Sequence, residues 1–497
     1  MVDLENKFNQ LKNKLFDRNF SKEDILLLEK AWEFAKLAHI GQKRDSGEWF
    51  LAHPLNTAIY LADWKMDITS IVSGILHDTI DWGGAKSEDL VQEFGHEIAN
   101  LVQSVSRVSK AKVRGNDNEI FVENLRKMIL AMAKDLRVVV IRMAERLDNL
   151  ATLYALPVDR QVRFAKETIE IFAPLAERLG MGEIKGKLED MAFPYLYKSE
   201  YERVLKESKP YYSNAEQHIK KIRHTLLRRL VENGIQAEVH ARKKHLYSLW
   251  KKLNRPNINW DFEKIHDIVA LRILVNTVAD CYAALGIVHH TYRPIPDIGI
   301  SDFIAQPKPN GYRSIHTKVL GPQGRFVEIQ IRTFEMHEQA EYGAASHWAY
   351  SEAKSKGASD ERLEKGLIKV DENKLRWVKQ LAKWQEEISD SEEFLKAVKF
   401  DALSDRIFVF SPKGDVYDLP VGATPVDFAY AVHTDLGDYI KVAKVNNKIV
   451  PLNYKLSNSD VVEIIKHKNP VKPNNDWLSF VVTTTARRQI QKRLREK

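Results

Sequence analysis

At 497 residues, 44% hydrophobic and 29% charged, the chain is long enough for two to four globular domains, and that balance excludes wholesale disorder. Seventy-six Lys and Arg against 68 Asp and Glu leave a net charge of +8, which suits a phosphate-bearing partner without singling one out. One cysteine, Cys281, excludes a disulfide framework and thiolate zinc clusters and fits a reducing cytoplasm, and no uncharged apolar run approaches the ~18 residues of a membrane helix.

The N-terminal run MVDLENKFNQLKNKLF reads as a charged amphipathic helix rather than a secretory signal. Ser21-Lys22-Glu23-Asp24 has the form of a capping box ahead of a helix through Ile25, Leu28, Ala31 and Phe34. Helical periodicity returns at 70–80, 89–108, 120–133, 135–153 and 162–180, with glycines at 83–84, 95 and 180 between and within these segments. Residues 1–195 are therefore expected to form an all-helical domain. Several polar groups sit in its apolar stretches. His53 precedes Pro54, His77-Asp78 interrupts the apolar helix IVSGILHDTID, and Glu145, Asp148, Asn149 and Thr152 share one helix face at i, i+3, i+4 and i+7. Imidazole with carboxylate is ligand chemistry for Mn2+, Zn2+ or Fe, while for any one histidine a satisfied buried ring is the plainer reading. Both readings stay open.

From 196 to 235 an amphipathic helix is expected, ending at Asn233-Gly234, after which the pattern becomes mixed: a strand over 236–240, a helix over 243–253, a buried strand over 265–275 and a helix over 279–291. Arg242-Lys243-Lys244-His245 is expected to open the 243–253 helix, with Lys251 and Lys252 two turns on. Cations beside free backbone N–H groups suit phosphate oxygens, and a solvated basic face is the alternative. Residues 308–333, KPNGYRSIHTKVLGPQGRFVEIQIRT, read as a β-hairpin. With a period of two, Val327, Ile329 and Ile331 take one face, and Glu328, Gln330 and Arg332 the other. On the partner strand His316 and Lys318 separate from Ile315, Thr317 and Val319. The turn before it carries a cation, Lys308, and a ring, Tyr312. An amphipathic hairpin with a wet face and a strand-borne site for a polyanionic substrate both fit this pattern. Asp267, opening the buried strand, and Glu328 place two carboxylates on neighbouring strands among cations, the combination phosphoryl transfer requires.

Residues 351–372 are polar and aperiodic, an expected mobile connector, and with the following helix carrying Trp377 and Trp384 they make a linker over 351–400. Over 401–467 the strand IFVF, a turn at 411–414, a helix opened by Thr424 with Pro425 at its first position, and strands around Asn446-Asn447 and 461–465 suit a small β-grasp module. Residues 468–497 are expected to be a basic tail, its run ARRQIQKRLREK a solvated helix end rather than an RNA contact.

The runs HARKKHLYSLWKKL, KIHDIVALRILV, the hairpin itself and HEQAEYGAASHWAY closely resemble the synthetase domain of the long RelA/SpoT homologues. These are bacterial enzymes of the stringent response, which make the alarmone (p)ppGpp by moving pyrophosphate from ATP to the 3′-hydroxyl of GTP or GDP. The N-terminal helices resemble that family's HD-type hydrolase domain, and 405–466, with DFAYAVHTDLGD, its TGS domain. The resemblance covers about residues 20–466. It implies an all-helical HD-like domain, a mixed α/β nucleotidyltransferase-like synthetase domain over 196–350 and a β-grasp TGS domain. It further implies Asp267 as a Mg2+ ligand and Glu328 as the group activating the 3′-hydroxyl, with Gln330 beside it. Arg242, Lys244 and Lys251 would hold the ATP phosphates, with His245 in the same motif. Tyr312 would stack on the guanine, with Lys308, Asn310 and His316 around it. In the HD domain the family's Mn2+ ligands fall on His53, His77, Asp78 and Glu145, and Arg44, Asn149 and Thr152 match its nucleotide-binding pattern. Through the TGS domain, where His433 matches a position used near the tRNA acceptor end, it implies a ribosome or tRNA contact.

Departures from the family pattern shape the functional expectation. Glu145 stands where the family has Asp, Asp148 where it usually has His, and Asp81-Trp82 where it has an acidic Glu-Asp pair. An indole cannot accept a proton or orient a water as a carboxylate does. About thirty residues follow the TGS match, against a longer regulatory region in the family. The expected protein is a cytoplasmic GTP diphosphokinase whose HD domain still binds a metal or guanine nucleotide but hydrolyses (p)ppGpp weakly or not at all. A bifunctional enzyme or net Mn2+-dependent 3′-pyrophosphohydrolase, and a non-catalytic ribosome- or tRNA-binding regulator, are the rivals. Oligomeric state and GTP-versus-GDP preference do not follow from the sequence.

Overall fold

The computed structural model describes residues 2–109, 117–343 apart from 266, 297, 298 and 309, 372–433 apart from 389, 400–402 and 405, and 435–495. Most of the expected connector and the end of the HEQAEYGAASHWAY motif lie outside the described residues. Two compact units are present, one formed by residues 1–112 and 130–370, the other by 113–129 and 371–497. No helix among the described residues is long and apolar enough to cross a membrane.

The first unit opens with helices α1 (Val2–Asp17), α2 (Lys22–Ala38), α3 (Ala52–Asp63), α4 (Ile68–Leu76), α5 (Ser87–Ser109), the end of α6 (Asp117–Lys134), α7 (Arg137–Ala151), α8 (Val158–Glu167), α9 (Ala173–Arg178), α10 (Gly182–Leu196) and α11 (Lys198–Glu232). The expected capping box forms, Ser21 Oγ accepting from Asp24 N while Asp24 accepts from Ser21 N. Gly95, at φ 81°, kinks α5 where the sequence shows one periodic run. Pro174 lacks the N–H an unbroken helix over 162–180 would use, and the chain passes through a π turn at Thr168–Phe172 before α9. His77 and Asp78 are not inside a helix as expected: α4 ends at Leu76, and His77 is its C-cap.

A five-stranded sheet follows, built from β1 (Ala237–Lys243), β2 (Val269–Val275), β3 (Ser301–Asp302), β4 (Ile315–Leu320) and β5 (Phe326–Thr333) in the order β1-β2-β5-β4-β3. Only β2 and β5 run parallel. Helices α12 (Leu246–Leu253), α13 (Val278–Thr291) and α14 (Phe334–Tyr342) complete this part. One sheet face, with Val239, Leu271, Ile273, Ile329, Ile331 and Val319, forms a core with Leu226 and Leu230 of α11 and Val288 of α13. The expected hairpin forms, and its register sets Lys318 opposite Glu328 and His316 opposite Gln330. Its polar face is not wet, however: Arg332 is 1% and Gln330 4% exposed. Arg242 and Lys243 end β1 instead of opening the next helix, because β1 pairs with β2 as far as Lys243 opposite Val269.

In the second unit, α15 (Glu372–Glu387) and α16 (Ser391–Ala397) lie with Arg126, whose guanidinium donates to the carbonyls of Gln385 and Ile388 and covers the Phe394 ring at 4.1 Å. Residues 117–129 of α6 group with this unit. The hairpin of β6 (Arg406–Phe410) and β7 (Val416–Pro420), α17 (Pro425–Val432), and the three-stranded sheet of β8 (Ile440–Val445), β9 (Lys448–Val450) and β10 (Val462–Lys466) follow in the expected order. Asn446 and Asn447, both at positive φ, turn β8 into β9. The expected basic tail is instead a packed helix, α18 (Thr484–Arg495). Ala486 and Ile490 are fully buried, and Arg493 Nε donates to Asp438 at 2.7 Å. Buried Asp427 anchors it, accepting from Val482 N, Thr483 N and the Thr483 hydroxyl.

Candidate functional site

The polar face of the five-stranded sheet meets the segment around α10 across a cavity of about 300 Å³. Of the residues expected at a nucleotide site, Arg242, His245, Lys308, Asn310, Tyr312 and His316 line it. Lys244, Lys251, Asp267, Glu328 and Gln330 are not in its lining.

Near Glu328 the hairpin and the preceding turn converge. The Tyr312 hydroxyl is 2.7 Å from His316 Nε2, His316 Nδ1 lies 3.6 Å from Glu328 Oε1, and Gln330 donates to the same oxygen at 3.0 Å. Burial, joined by the charges of Lys308, Arg332, Arg242 and Arg272, pushes His316 down to about 3, so it is a neutral ring at physiological pH. Lys308 Nζ stands 4.6 Å from the Phe303 ring centre and 5.3 Å from that of Tyr312, a desolvated cation over two rings, and burial lowers its pKa. Asn310 shapes the turn, its Oδ1 accepting from Tyr312 N at 3.1 Å.

Asp267 lies just before β2, not on it. Its carboxylate accepts from Lys244 at 2.8 Å and Lys252 at 2.7 Å. Burial alone would raise its pKa; the two ammoniums outweigh that and push it down to about 2. Continuing the β2–β5 register, in which Leu271 pairs with Ile329, puts Ala270 level with Glu328. Asp267 is three positions back, about 10 Å along the strand direction. The two carboxylates are thus held by separate partners rather than side by side in the sheet. Lys251, on α12, is exposed, and its charge acts on Glu189.

His245 caps α12, its Nδ1 2.8 Å from Asp190 and its Nε2 3.5 Å from Glu183, both on α10. Burial opposes the charged ring, but these carboxylates push it up to about 9, so it is an imidazolium at neutral pH. Two further cavity residues were not in the expected set. Arg272 and Arg332 share Glu341 Oε1, at 3.0 and 2.8 Å, and each leaves a buried Nε without a partner. The sequence does carry a signal for them: an arginine in the otherwise apolar VALRILV, and another on the polar face of β5.

In the helical part, His53, His77 and Asp78 bring one ligand atom each to within 4.8 Å of one another. His77 Nδ1 lies 2.7 Å from the Gly74 carbonyl, which can only accept, and His53 Nδ1 lies 2.7 Å from the Asp148 carboxylate. Both Nδ1 atoms therefore carry hydrogen, and in the neutral rings both Nε2 lone pairs face each other at 3.2 Å. Asp78 Oδ2 is 3.6 and 3.4 Å from them. Three electron-rich atoms converging in this way fit a divalent cation. Glu145 is not among them, contrary to expectation: Arg142, one turn earlier on α7, holds its carboxylate at 2.5 Å. Arg44 donates to Asp148 at 2.8 Å and to Asn149 at 2.6 Å, so those two expected residues do meet. Thr152 ends α7 with its hydroxyl on the carbonyls of Asp148 and Asn149. Asp81 accepts from Ser106, and Trp82 is 65% exposed.

Family models match three stretches in order: the HD domain at residues 31–182, the region found in RelA/SpoT proteins at 241–355 and the TGS domain at 407–466. The chain is 44% identical over 470 residues to a GTP pyrophosphokinase of Myxococcus xanthus, covering 94% of this chain and 60% of that protein. It is 43% identical over 470 residues to a guanosine-3′,5′-bis(diphosphate) 3′-pyrophosphohydrolase of Aquifex aeolicus, covering 94% and 64%. It is 42% identical over 473 residues to the bifunctional (p)ppGpp synthase/hydrolase RelA of Mycobacterium tuberculosis, covering 95% and 63%. The chain thus spans about 60% of the length of the curated relatives it matches. With all three regions present in the same order, the chain belongs to the long RelA/SpoT family.

Proposed function

We propose that this chain is a cytoplasmic, Mg2+-dependent (p)ppGpp synthetase acting on ATP and GTP or GDP, with hydrolysis in its HD domain weak or lost. The observation that carries the reading is the sheet face joining Glu328, Gln330, His316 and Tyr312 beside a cation-lined cavity. The names of the relatives do not choose a direction, since a synthetase and a hydrolase match almost equally well. The 3′-oxygen of the acceptor attacks the β-phosphorus of ATP, the α–β bridging P–O bond breaks, AMP leaves, and Glu328 takes the hydroxyl proton. Arg242, Lys244, Lys251 and His245 bind the ATP phosphates, and Tyr312, with Lys308, Asn310 and His316, seats the guanine. Asp267 would hold Mg2+, which when bound offsets the charge of the transferring phosphates.

In the HD pocket His53, His77 and Asp78 would hold Mn2+, which when bound acidifies a water. Three features support weak hydrolysis: Trp82 in place of an acid, Glu145 held by Arg142, and Arg44 held by Asp148. The His53–His77–Asp78 cluster favours a bifunctional enzyme as the second reading. Thin-layer separation of labelled ATP with GTP and Mg2+, beside ppGpp with Mn2+, decides between them. Synthesis with slow or no pyrophosphate release is expected, and rapid release from ppGpp would overturn the hydrolase part. A ribosome or tRNA contact through the TGS domain, on which His433 is exposed, belongs to the same proposal.

The His245 assignment has its own test. A Cβ at Gly186 would stand 2.2 Å from the His245 ring, so Gly186→Ala drives the ring off its bond to Asp190. Loss of one charge-assisted contact predicts a KM for ATP about tenfold higher with a smaller change in kcat. An unchanged KM in steady-state kinetics removes His245 from the ATP site.

A further inference from the structure

We propose that Asp148 is a positioning residue that fixes His53 as a nitrogen ligand, so that the HD pocket of this chain binds a divalent cation on His53, His77 and Asp78 without Glu145. The proposal rests on the metal reading above and adds the residue on which that reading depends in this particular chain. Asp148 is 3% exposed and accepts three hydrogen bonds, from His53 Nδ1 at 2.7 Å, Arg44 Nη1 at 2.8 Å and Asn56 Nδ2 at 2.8 Å. A carboxylate has lone pairs for all three, whereas a neutral imidazole at the same place would have one. The Arg44 guanidinium and the Asn56 amide can only donate to it, so the carboxylate faces His53 as an acceptor. It therefore commits the hydrogen of His53 to Nδ1 and turns Nε2 towards His77 Nε2 and Asp78.

His77 needs no such partner, because the Gly74 carbonyl does the same for its ring within α4 and its C-cap. The asymmetry matters: one ligand is set by local backbone, the other by a side chain 95 positions away on α7. A ligand histidine whose second nitrogen is held by a carboxylate is the usual way such a ring is oriented and made more basic. Asp148 therefore supplies to His53 what the metal centre needs, from a position where the family usually has another residue. The pocket then keeps a three-ligand cation site while Glu145 serves as the partner of Arg142.

The test is a Mn2+ titration of the whole chain, read by loss of the free-ion electron paramagnetic resonance signal and by nitrogen couplings in the bound-ion spectrum. The native chain is expected to bind one Mn2+ with couplings from two imidazoles. Asp148→Asn should weaken binding about 10–100-fold and lose one of the two couplings. Asn56→Ala, which removes a different donor to the same carboxylate, should leave affinity within about threefold of native. If Asp148→Asn melts more than about 5 °C below native, Asp148→Ser is used with the same expectation. Native-like affinity with both couplings in the Asp148 variant overturns the proposal and leaves the metal reading standing. Equal weakening by Asn56→Ala overturns it too, since Asp148 would then act only as general support. A native chain that binds no Mn2+ sinks the metal reading and the proposal together.

Discussion

Glu328→Gln is expected to yield a folded protein whose (p)ppGpp synthesis is slower by about 10³-fold, equivalent to about 4 kcal/mol at the transition state. The amide is isosteric, and its oxygen still accepts from Gln330, a bond of 3.0 Å in the native protein, so the hairpin has no reason to change. What disappears is the proton acceptor. His316, 3.6 Å away, does not replace it: its pKa is pushed down to about 3, and it is a poor base at neutral pH. Gln330 and Tyr312 bring no base of suitable strength. The KM values for ATP and GTP should change little, because the loss falls on an interaction made as the proton leaves. Thin-layer rates at saturating nucleotide, with the melting temperature as the fold control, check the expectation. A variant retaining more than about a tenth of native activity would remove Glu328 from the role of general base.

The two features that make this site legible in the sequence are both local. A period of two sorted Glu328, Gln330 and Arg332 from their apolar neighbours, and the hairpin register follows from its turn. The β-grasp order of the second unit was readable for the same reason, from the Thr424-Pro425 helix start and the Asn446-Asn447 turn. What the sequence hid depends on contacts between distant segments. Nothing near His245 announces that Asp190 and Glu183 of α10 will keep it charged. Phe303 completes the surroundings of Lys308 from β3 and the turn after it, with no motif of its own. The wet-face reading of the hairpin failed because Glu341 on α14 reaches back to Arg332 and Arg272 and lets both be buried. The basic C-terminal run looked like a solvated tail, since the partners of its arginines, Asp438 and Glu387, lie 55 and 101 positions away. Glu145 was assigned to the metal by its match to the family's ligand set, on the helix face it shares with Asp148 and Asn149. That geometry is real, but Arg142 competes for the carboxylate from the same face.

Asp267→Asn separates two roles that the native contacts alone leave entangled. Asp267 sits between the ammoniums of Lys244 and Lys252 at 2.8 and 2.7 Å, so in the free protein it neutralises them. Were that its whole purpose, the amide would release two cations towards the incoming phosphates. ATP would bind more tightly, KM would fall, and kcat would hold. The proposed reaction predicts the opposite. In that reading the phosphates of ATP would take over both lysines, and the carboxylate of Asp267 would be free to hold Mg2+. An amide oxygen is a much weaker ligand than a carboxylate, so kcat should drop about 10²-fold or more, and the Mg2+ concentration for half-maximal rate should rise. The low carboxyl pKa, about 2, ensures that Asp267 is ionised and available throughout the working pH range. A Mg2+ titration of the initial rate at fixed ATP distinguishes the outcomes. A lower KM with an unshifted Mg2+ dependence would assign Asp267 to charge balance alone and leave the proposed synthetase without the metal ligand it requires.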